Sequence, residues 1–258
     1  MKFATWNVNS LRVRLEHVLS WLEANQPDVL GLQETKLRDE HFPALRFEEL
    51  GYQVEFSGQP TYNGVALISR QRAQQVAADL AGLSDPQRRV LTASIGDVRV
   101  MNLYVPNGQS VDSEKYAYKL QWLEALQAQV RDDLRRYPRI LLMGDFNIAP
   151  EDRDVHDPDA WRGKVLCSPK ERSALEGLLK LGLTDTFRLF DQPENSFSWW
   201  DYRAAAFRRN MGLRIDLILA SDALSRICTG CTVDAGPRRL ERPSDHAPVV
   251  AEFGPAER

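Results

Sequence analysis

Apolar and polar residues alternate from Lys2 to Val8, the period of a strand with one covered face. Ser10 then offers a helix N-cap, and Leu11, Leu15, Val18, Leu19 and Leu22 recur on one helical face until Gln26-Pro27-Asp28 breaks the pattern. Val29-Leu30-Gly31-Leu32-Gln33 is almost wholly apolar, which predicts a short strand covered on both faces. A second helix fits Phe42 to Leu50, stopped by Gly51. Short strands are expected at Tyr52–Phe56, Gly64–Ser69, Gln75–Leu80, Arg89–Ile95 and Val98–Val105. The longest helical pattern runs from Ser113 to Tyr137, with Tyr116, Leu120, Leu123, Leu126, Val130 and Leu134 on the inward face and Pro138 as its stop. Arg139–Met143 reads as another buried strand. An irregular acidic stretch follows (Gly144–Lys164), then a helix at Pro169–Leu181 and strands at Leu213–Leu219, Thr229–Asp234 and Val249–Phe253.

This order of elements predicts two packed sheets covered by helices. No Gly/Ser/Pro-rich linker, repeat or low-complexity stretch interrupts it, so one domain over residues 1–258 is expected. At 43% apolar and 27% charged, the composition excludes disorder, collagen and coiled coil. The longest apolar runs, such as Ile140-Leu141-Leu142-Met143, fall far short of the roughly 20 residues of a membrane-spanning helix.

Charge changes the picture in one respect. Lys and Arg total 33 against 36 Asp and Glu, for a net charge of −3. Any contact with nucleic acid must therefore come from local basic patches rather than a global field. The first residues turn polar too soon for a signal peptide, and three cysteines (Cys167, Cys228, Cys231) cannot form a full disulfide set. A cytoplasmic location is expected. Cys228 and Cys231 have C-x-x-C spacing but no second pair, so neither a metal nor a redox role is assigned to them. His17, His41 and His156 read as surface residues.

Candidate chemistry lies where carboxylates and amides follow strands. Asn7 and Asn9 end the first strand, Glu34 follows Val29–Gln33, and Asp145 and Asn147 follow Arg139–Met143. Asp245-His246 precedes the last strand. Strand ends at one edge of layered α/β folds are where sites are commonly built. Oxygen donors of this kind suit a hard divalent cation, while the absence of a Cys or His cluster argues against zinc. Taken singly, each is also an ordinary loop or turn residue. Asp216 differs, because a carboxylate inside the apolar run Leu213–Leu219 needs a partner. His246 is one candidate, in the arrangement by which an Asp fixes the tautomer of a working His; Arg214 is the other.

Seven ordered segments resemble the exonuclease III family of apurinic/apyrimidinic (AP) endonucleases, bacterial branch. They are Thr-Trp-Asn-Val-Asn-Ser-Leu-Arg (5–12), Pro-Asp-Val-Leu-Gly-Leu-Gln-Glu-Thr-Lys (27–36), Gly-Val-Ala-Leu-Ile-Ser (64–69), Tyr-Val-Pro-Asn-Gly (104–108), Met-Gly-Asp-Phe-Asn-Ile-Ala-Pro (143–150), Gly-Leu-Arg-Ile-Asp-Leu-Ile-Leu-Ala-Ser (212–221) and Pro-Ser-Asp-His-Ala-Pro-Val (243–249). The wider endonuclease/exonuclease/phosphatase superfamily shares only the Glu, Asp-x-Asn and Asp-His parts. The resemblance implies a four-layer α/β sandwich, two mixed β-sheets flanked by helices. It implies Mg²⁺- or Mn²⁺-dependent hydrolysis of phosphodiesters in damaged duplex DNA, 5′ to abasic sites or at 3′ ends.

In that reading Glu34 is the main metal ligand, with Asn7 and Asp245 close by and Asp145 and Asn147 completing the set. Asp145 orients or deprotonates the attacking water, Asn147 holds phosphate or water, and Tyr104 contacts the scissile phosphate beside Asn107. His246, positioned by Asp216, stabilises or protonates a phosphoryl oxygen. Either Asp145 or His246 can be the general base, with one metal or two. Trp199, Leu213 and Ile215 line the pocket for a flipped sugar, and Phe197-Ser198-Trp199-Trp200 is the aromatic segment that could build it. Asn9 stands where some relatives carry Asp. The segment Trp161–Pro169 is a further candidate on the 3′ side.

Between Tyr202 and Ile215 the chain carries Arg203, Arg208, Arg209 and Arg214 and no acid, with a second cluster at Arg238, Arg239 and Arg242. These are candidate phosphate clamps or a solvated basic face. The acidic stretch Glu151–Asp159 cannot lie on a DNA backbone. A small-molecule or lipid phosphoesterase, or an inactive nucleic-acid-binding regulator, could share the scaffold. The aromatics and arginines of 199–214 favour DNA, and the regulator should have lost some of Glu34, Asp145, Asn147, Asp216 and His246. A monomer without an obligate protein partner or membrane is expected.

Overall fold

The computed structural model describes residues 1–255. Fourteen strands are described: β1 Lys2–Asn7, β2 Val29–Gln33, β3 Gln53–Ser57, β4 Val65–Ser69, β5 Gln74–Ala78, β6 Val90–Ile95, β7 Val98–Tyr104, β8 Ile140–Asp145, β9 Leu183–Asp185, β10 Trp199–Trp200, β11 Gly212–Leu213, β12 Asp216–Ser221, β13 Cys228–Val233 and β14 Val249–Phe253. Six form one sheet in the order β13-β14-β1-β2-β4-β3, and six another in the order β5-β6-β7-β8-β12-β9. Both sheets are mixed, since β1–β2 and β7–β8 are parallel and their neighbours antiparallel. β10 and β11 form a separate two-stranded ribbon.

The helices are α1 Leu11–Asn25, α2 Ala44–Glu48, α3 Glu114–Leu134, α4 Pro158–Trp161, α5 Pro169–Leu179 and α6 Asp222–Ser225. Side-chain parity along the strands sets the layers. Phe3, Val29 and Leu67 of the first sheet meet Val100, Leu141, Met143 and Ile218 of the second between the sheets. Trp6, Leu30, Leu32 and Ile68 turn outward against Val18, Leu19 and Leu22 of α1. Met101, Leu103, Leu142 and Leu219 turn outward against Leu123 and Leu126 of α3 and Leu175 and Leu178 of α5. The result is the expected α/β sandwich of helix, sheet, sheet and helix layers.

The same period-2 parity places the chemistry. Val100, Met143 and Ile218 point inward, and the same parity carries Asn102 and then Tyr104 on β7, Asp145 on β8 and Asp216 on β12. Tyr104, Asp145 and Asp216 are register partners across these strands. Asn7 ends β1 on the inward parity of Phe3 and pairs with Gln33 of β2. Gly144 makes the close approach possible: its φ is +155°, and a Cβ there would sit 1.9 Å from Leu103 O.

Several boundaries differ from expectation. The second helix shrinks to Ala44–Glu48, because Pro43 disfavours the α conformation at Phe42, which is extended. Ser10 makes no side-chain cap. Instead Ser10 N donates to Glu34 O (2.7 Å) and Leu11 N to Thr35 O (3.0 Å), so the start of α1 is tied to the loop after β2. On α3, Leu120 and Leu134 are only partly buried, while Lys119, Trp122 and Asp133 face inward. The expected strand Leu213–Leu219 divides into β11 and β12. At the break Arg214 N donates to Asp154 O and Ile215 N to the Ser198 hydroxyl. The acidic stretch holds a 3₁₀ turn at Asp152–Asp154 and α4.

Candidate active site at the edge of the two sheets

Both sheets contribute to one constellation. Asn7 Nδ2 donates to Glu34 Oε1 and to Asp145 Oδ2, each at 2.9 Å, and so stitches the first sheet to the second. Asn9, Glu34 and Asn147 have φ of 44°, 52° and 49°. Asn tolerates this left-handed region; for Glu34 it costs on the order of 1–2 kcal/mol, offset by the Ser10 amide on its carbonyl. Strained non-glycine backbone of this kind clusters at functional sites.

His246 stands between two acids. Its Nδ1 lies 2.9 Å from Asp216 Oδ2 and 3.1 Å from Oδ1, and its Nε2 lies 3.7 Å from Asp145 Oδ2. Of the two partners open to Asp216 in the sequence, the structure selects His246. Asp216 also accepts from the Ser198 hydroxyl at 2.6 Å, and Ser244 Oγ donates to Asn7 O at 2.6 Å. Burial works against charge on His246, but Asp216 and then Asp145 outweigh it and lift its pKa to about 10. Burial lifts Asp145 to about 7 against the pull of His246. The Tyr104 phenol is driven well above its ordinary value by burial and then by the carboxylates of Glu34 and Asp145.

The remaining expected residues are distributed around this core. Asn147 N donates to Asp145 Oδ1 at 2.9 Å, its Nδ2 donates to Val105 O at 3.0 Å, and its Oδ1 accepts from Asn107 Nδ2 at 3.2 Å. Asp245 lies on the aromatic side, where Oδ1 accepts from Asn9 and Oδ2 from the Trp199 indole, both at 3.0 Å. Trp199 pairs with Leu213 across the β10–β11 ribbon and meets the edge of Trp161 at 6.5 Å. Leu213 and Ile215 are fully buried beneath them with Val155 and Leu166. Phe197 and Trp200 belong to a neighbouring core cluster, so of the aromatic segment Trp199 is the residue left partly exposed.

The basic run divides. Arg208 and Arg209 are exposed, and Arg203 is exposed but paired with Asp201. Arg214 is not available as a phosphate clamp. It is buried, with Nε 2.7 Å from Asp154 and an NH2 group 2.7 Å from Asp185. Arg238 is also withdrawn, packed 4.9 Å over the Phe207 ring with its guanidinium on Ser244 O. His41 is exposed as expected, whereas His17 and His156 are half-buried, and His156 Nδ1 lies 3.2 Å from Gly212 O.

Sequence reasoning passed over several neighbours. Lys36 places Nζ 2.9 Å from Glu34 Oε2; it ends the Gln-Glu-Thr-Lys segment, which was a usable signal. Arg89 stacks 4.7 Å over the Tyr104 ring and donates to Tyr104 O at 3.2 Å, with no sequence sign. A cleft of about 680 Å³ opens beside the constellation, lined by Glu34, Tyr62, Arg89, Tyr104, Asn107 and Lys115 among others.

The donor set fits a divalent cation. One ligand atom each from Glu34, Asp145 and His246 fall within 4.8 Å of one another. The Asn7 amide and the Lys36 ammonium stand against the paired carboxylates, with Asn147 N and the His246 ring also on Asp145, and hard oxygen donors at this spacing are what such a cation takes. Asn7 turns its amide nitrogen to the carboxylates, its Oδ1 accepting from Asn9 N at 2.9 Å. Asp245 lies outside the cluster of three.

Known proteins agree with this architecture. The chain is 39% identical to "Exodeoxyribonuclease III" of Haemophilus influenzae, covering 98% of this chain and all of the relative. Its fold matches the Neisseria 3′ phosphatase solved with a product DNA hairpin, at a TM-score of 0.97 and 49% identity, over 98% of this chain and 99% of that one. An AP endonuclease from Archaeoglobus fulgidus superposes with a TM-score of 0.94 at 41% identity, over 98% and 99% of the two chains. Residues 4–246 match the endonuclease/exonuclease/phosphatase family model. With its two stacked sheets and its acid, amide and histidine groups on one edge, the chain belongs to the endonuclease/exonuclease/phosphatase family.

Proposed function

We propose that this protein is a metal-dependent DNA-repair phosphodiesterase that cuts 5′ to abasic sites and trims blocked 3′ ends of duplex DNA. The observation that carries this reading is the row of neighbouring polar groups Asp216, His246, Asp145, Asn7 and Glu34 across the two sheets, hydrogen-bonded except for the 3.7 Å approach of His246 to Asp145. Phosphodiester hydrolysis requires in-line attack and neutralisation of charge on the non-bridging oxygens.

A bound Mg²⁺ or Mn²⁺ would supply Lewis-acid charge neutralisation. Glu34 would be its main ligand, assisted by Asp145, with Asn7, Asn147 and Asp245 orienting the surrounding groups. Asp145, its pKa raised to about 7, is suited to take a proton from the attacking water. His246, held protonated by Asp216, faces the phosphoryl oxygen as hydrogen-bond donor and acid. Tyr104, Asn107 and Asn147 donate to phosphate oxygens. Trp199 over Leu213 and Ile215 receives the extrahelical sugar, Asn9 steadies that wall through Asp245, and Arg203 and Arg208 meet the backbone. The protein acts as a monomer in the cytoplasm. The free thiols of Cys167, Cys228 and Cys231 support that compartment, and no described helix is long and apolar enough to cross a membrane.

A second reading, 3′-end trimming alone, is supported by Trp161, which stands edge-on to Trp199 with ring centroids 6.5 Å apart and would crowd an internal extrahelical sugar there. A 5′-labelled duplex with one central abasic analogue, incubated with Mg²⁺ or chelator, separates the two. A single Mg²⁺-dependent cut at the analogue supports the full proposal. A ladder from the 3′ end without that cut supports the second reading, and no cleavage overturns both.

A further inference from the structure

Lys119 is a lysine whose ammonium is shut away from water. Its side chain is completely buried on the inner face of α3. Nζ donates to Asn147 O at 2.7 Å and to Asn107 O at 3.1 Å, and its third hydrogen goes to Glu171 Oε1. An ammonium has three donors, and here each is used.

The carbonyls it holds belong to the two residues whose side chains meet above it, Asn107 Nδ2 to Asn147 Oδ1. Glu171 carries the tie onward. It accepts from Leu166 N and Ser168 N, each at 3.0 Å, and so fixes the turn that ends the Trp161–Pro169 segment. Gly108, with φ +93°, lays its backbone against the lysine stem; a Cβ there would stand 3.2 Å from Lys119 Cδ and 3.2 Å from Val165 Cγ2. Apart from the buried Glu171 carboxylate on α5, the residues packed around this position are not charged. The neighbouring inward residues Tyr116, Trp122, Leu123 and Leu126 are apolar or aromatic.

We propose that Lys119 is a positioning residue of the hydrolytic reaction: it locks the Asn107 and Asn147 loops in one register, so that the exposed Asn107 amide stays seated on Asn147 beside Asp145 where the phosphate is met. It touches no substrate and acts through those two carbonyls. The proposal rests on the function proposed above.

The test separates positioning from simple support. Lys119→Met alone strands Glu171, so Lys119→Met/Glu171→Gln removes both charges together, and Lys119→Arg keeps the charge with a planar donor set. Melting temperature, kcat, KM and the Mg²⁺ midpoint are read for each. The expected result is a double variant that melts near the wild-type temperature while kcat falls at least tenfold, with KM and the Mg²⁺ midpoint within threefold. Lys119→Arg should show the same loss of kcat, and Glu171→Gln alone, which leaves both carbonyl contacts, should keep kcat within threefold. The proposal is overturned by wild-type kcat in either folded Lys119 variant, or by a loss of kcat in Glu171→Gln equal to theirs. Wild-type protein without Mg²⁺-dependent cleavage would instead overturn the function itself.

Discussion

Asp145 and Asp216 face each other as register partners on antiparallel β8 and β12, and the His246 imidazole spans their carboxylates, 2.9 Å from Asp216 and 3.7 Å from Asp145. Asp216 therefore holds the ring by Nδ1 while Nε2 is turned toward Asp145. Replacing Asp216 by Asn keeps the shape but removes the charge that holds the imidazolium. Asp216→Asn should lower single-turnover cleavage by about a hundredfold or more, the low end of general acid–base contributions. DNA affinity should stay within a few-fold. Parallel losses in cleavage and binding would refute the assignment.

Stability should follow the same ring as pH changes. The folded pKa of His246, about 10, lies above the unfolded 6.5, so the fold binds this proton more tightly than the unfolded chain does. That contribution is complete below pH 6.5 and is lost as pH climbs through 10. Metal-free protein should melt at steadily lower temperature from pH 7 to pH 10, and His246→Gln should flatten that decline. Superimposable slopes for the two proteins would exclude His246 as the source.

Glu34 gathers one side of the proposed cation site, and Lys36 and Asn7 occupy its oxygens when no cation does. Glu34→Gln should raise the Mg²⁺ concentration for half-maximal cleavage by more than the roughly tenfold that substitutions behind the ligands already cost. Titration of Mg²⁺ into chelator-treated protein measures this; an unchanged midpoint removes Glu34 from the ligand set.

Exposed and buried arginines of the 203–214 run should behave oppositely. Arg208→Ala should reduce the slope of log affinity against log salt by about 1, the loss of one phosphate contact. Arg203→Ala should change it less, since its guanidinium is already engaged by Asp201. Binding isotherms at several salt concentrations decide, and equal slopes for wild type and Arg208→Ala would rule out that contact.

Arg214 should matter for folding rather than for salt dependence. Arg214→Leu leaves Asp154 and Asp185 buried without their cation and should cost about 3–5 kcal/mol in urea unfolding. A cost under about 1 kcal/mol, the range of an exposed pair, would contradict the buried geometry.

The sequence made some of this legible and hid the rest for definite reasons. The nearly continuous apolar runs at 29–33 and 140–143 read as strands covered on both faces, and β2 and β8 are buried along their whole length. Asp216 stood out because a lone acid in an apolar run must be paired, and the pairing with His246 is what forms. Arg214 misled because a basic residue among basic residues looks solvated; its partners lie 60 and 29 positions away in the chain. Lys119 was invisible for the same reason, since a lysine on a long amphipathic helix normally snorkels to water. Ser10 looked like a cap, but its backbone has φ 93°, and Val13 N, which its side chain should have served, donates to the Ser10 carbonyl instead.

The division of the constellation between two sheets has a consequence for folding. Trp6 on β1 donates its indole N–H to the carbonyl of His246, a contact closed across 240 positions of chain. Contacts of such separation incur the largest loop-closure entropy and condense late. A chain with one sheet assembled holds Glu34 or Asp145 but not both in reach of a phosphate. The acid, amide and histidine groups therefore meet only once both sheets have packed against each other.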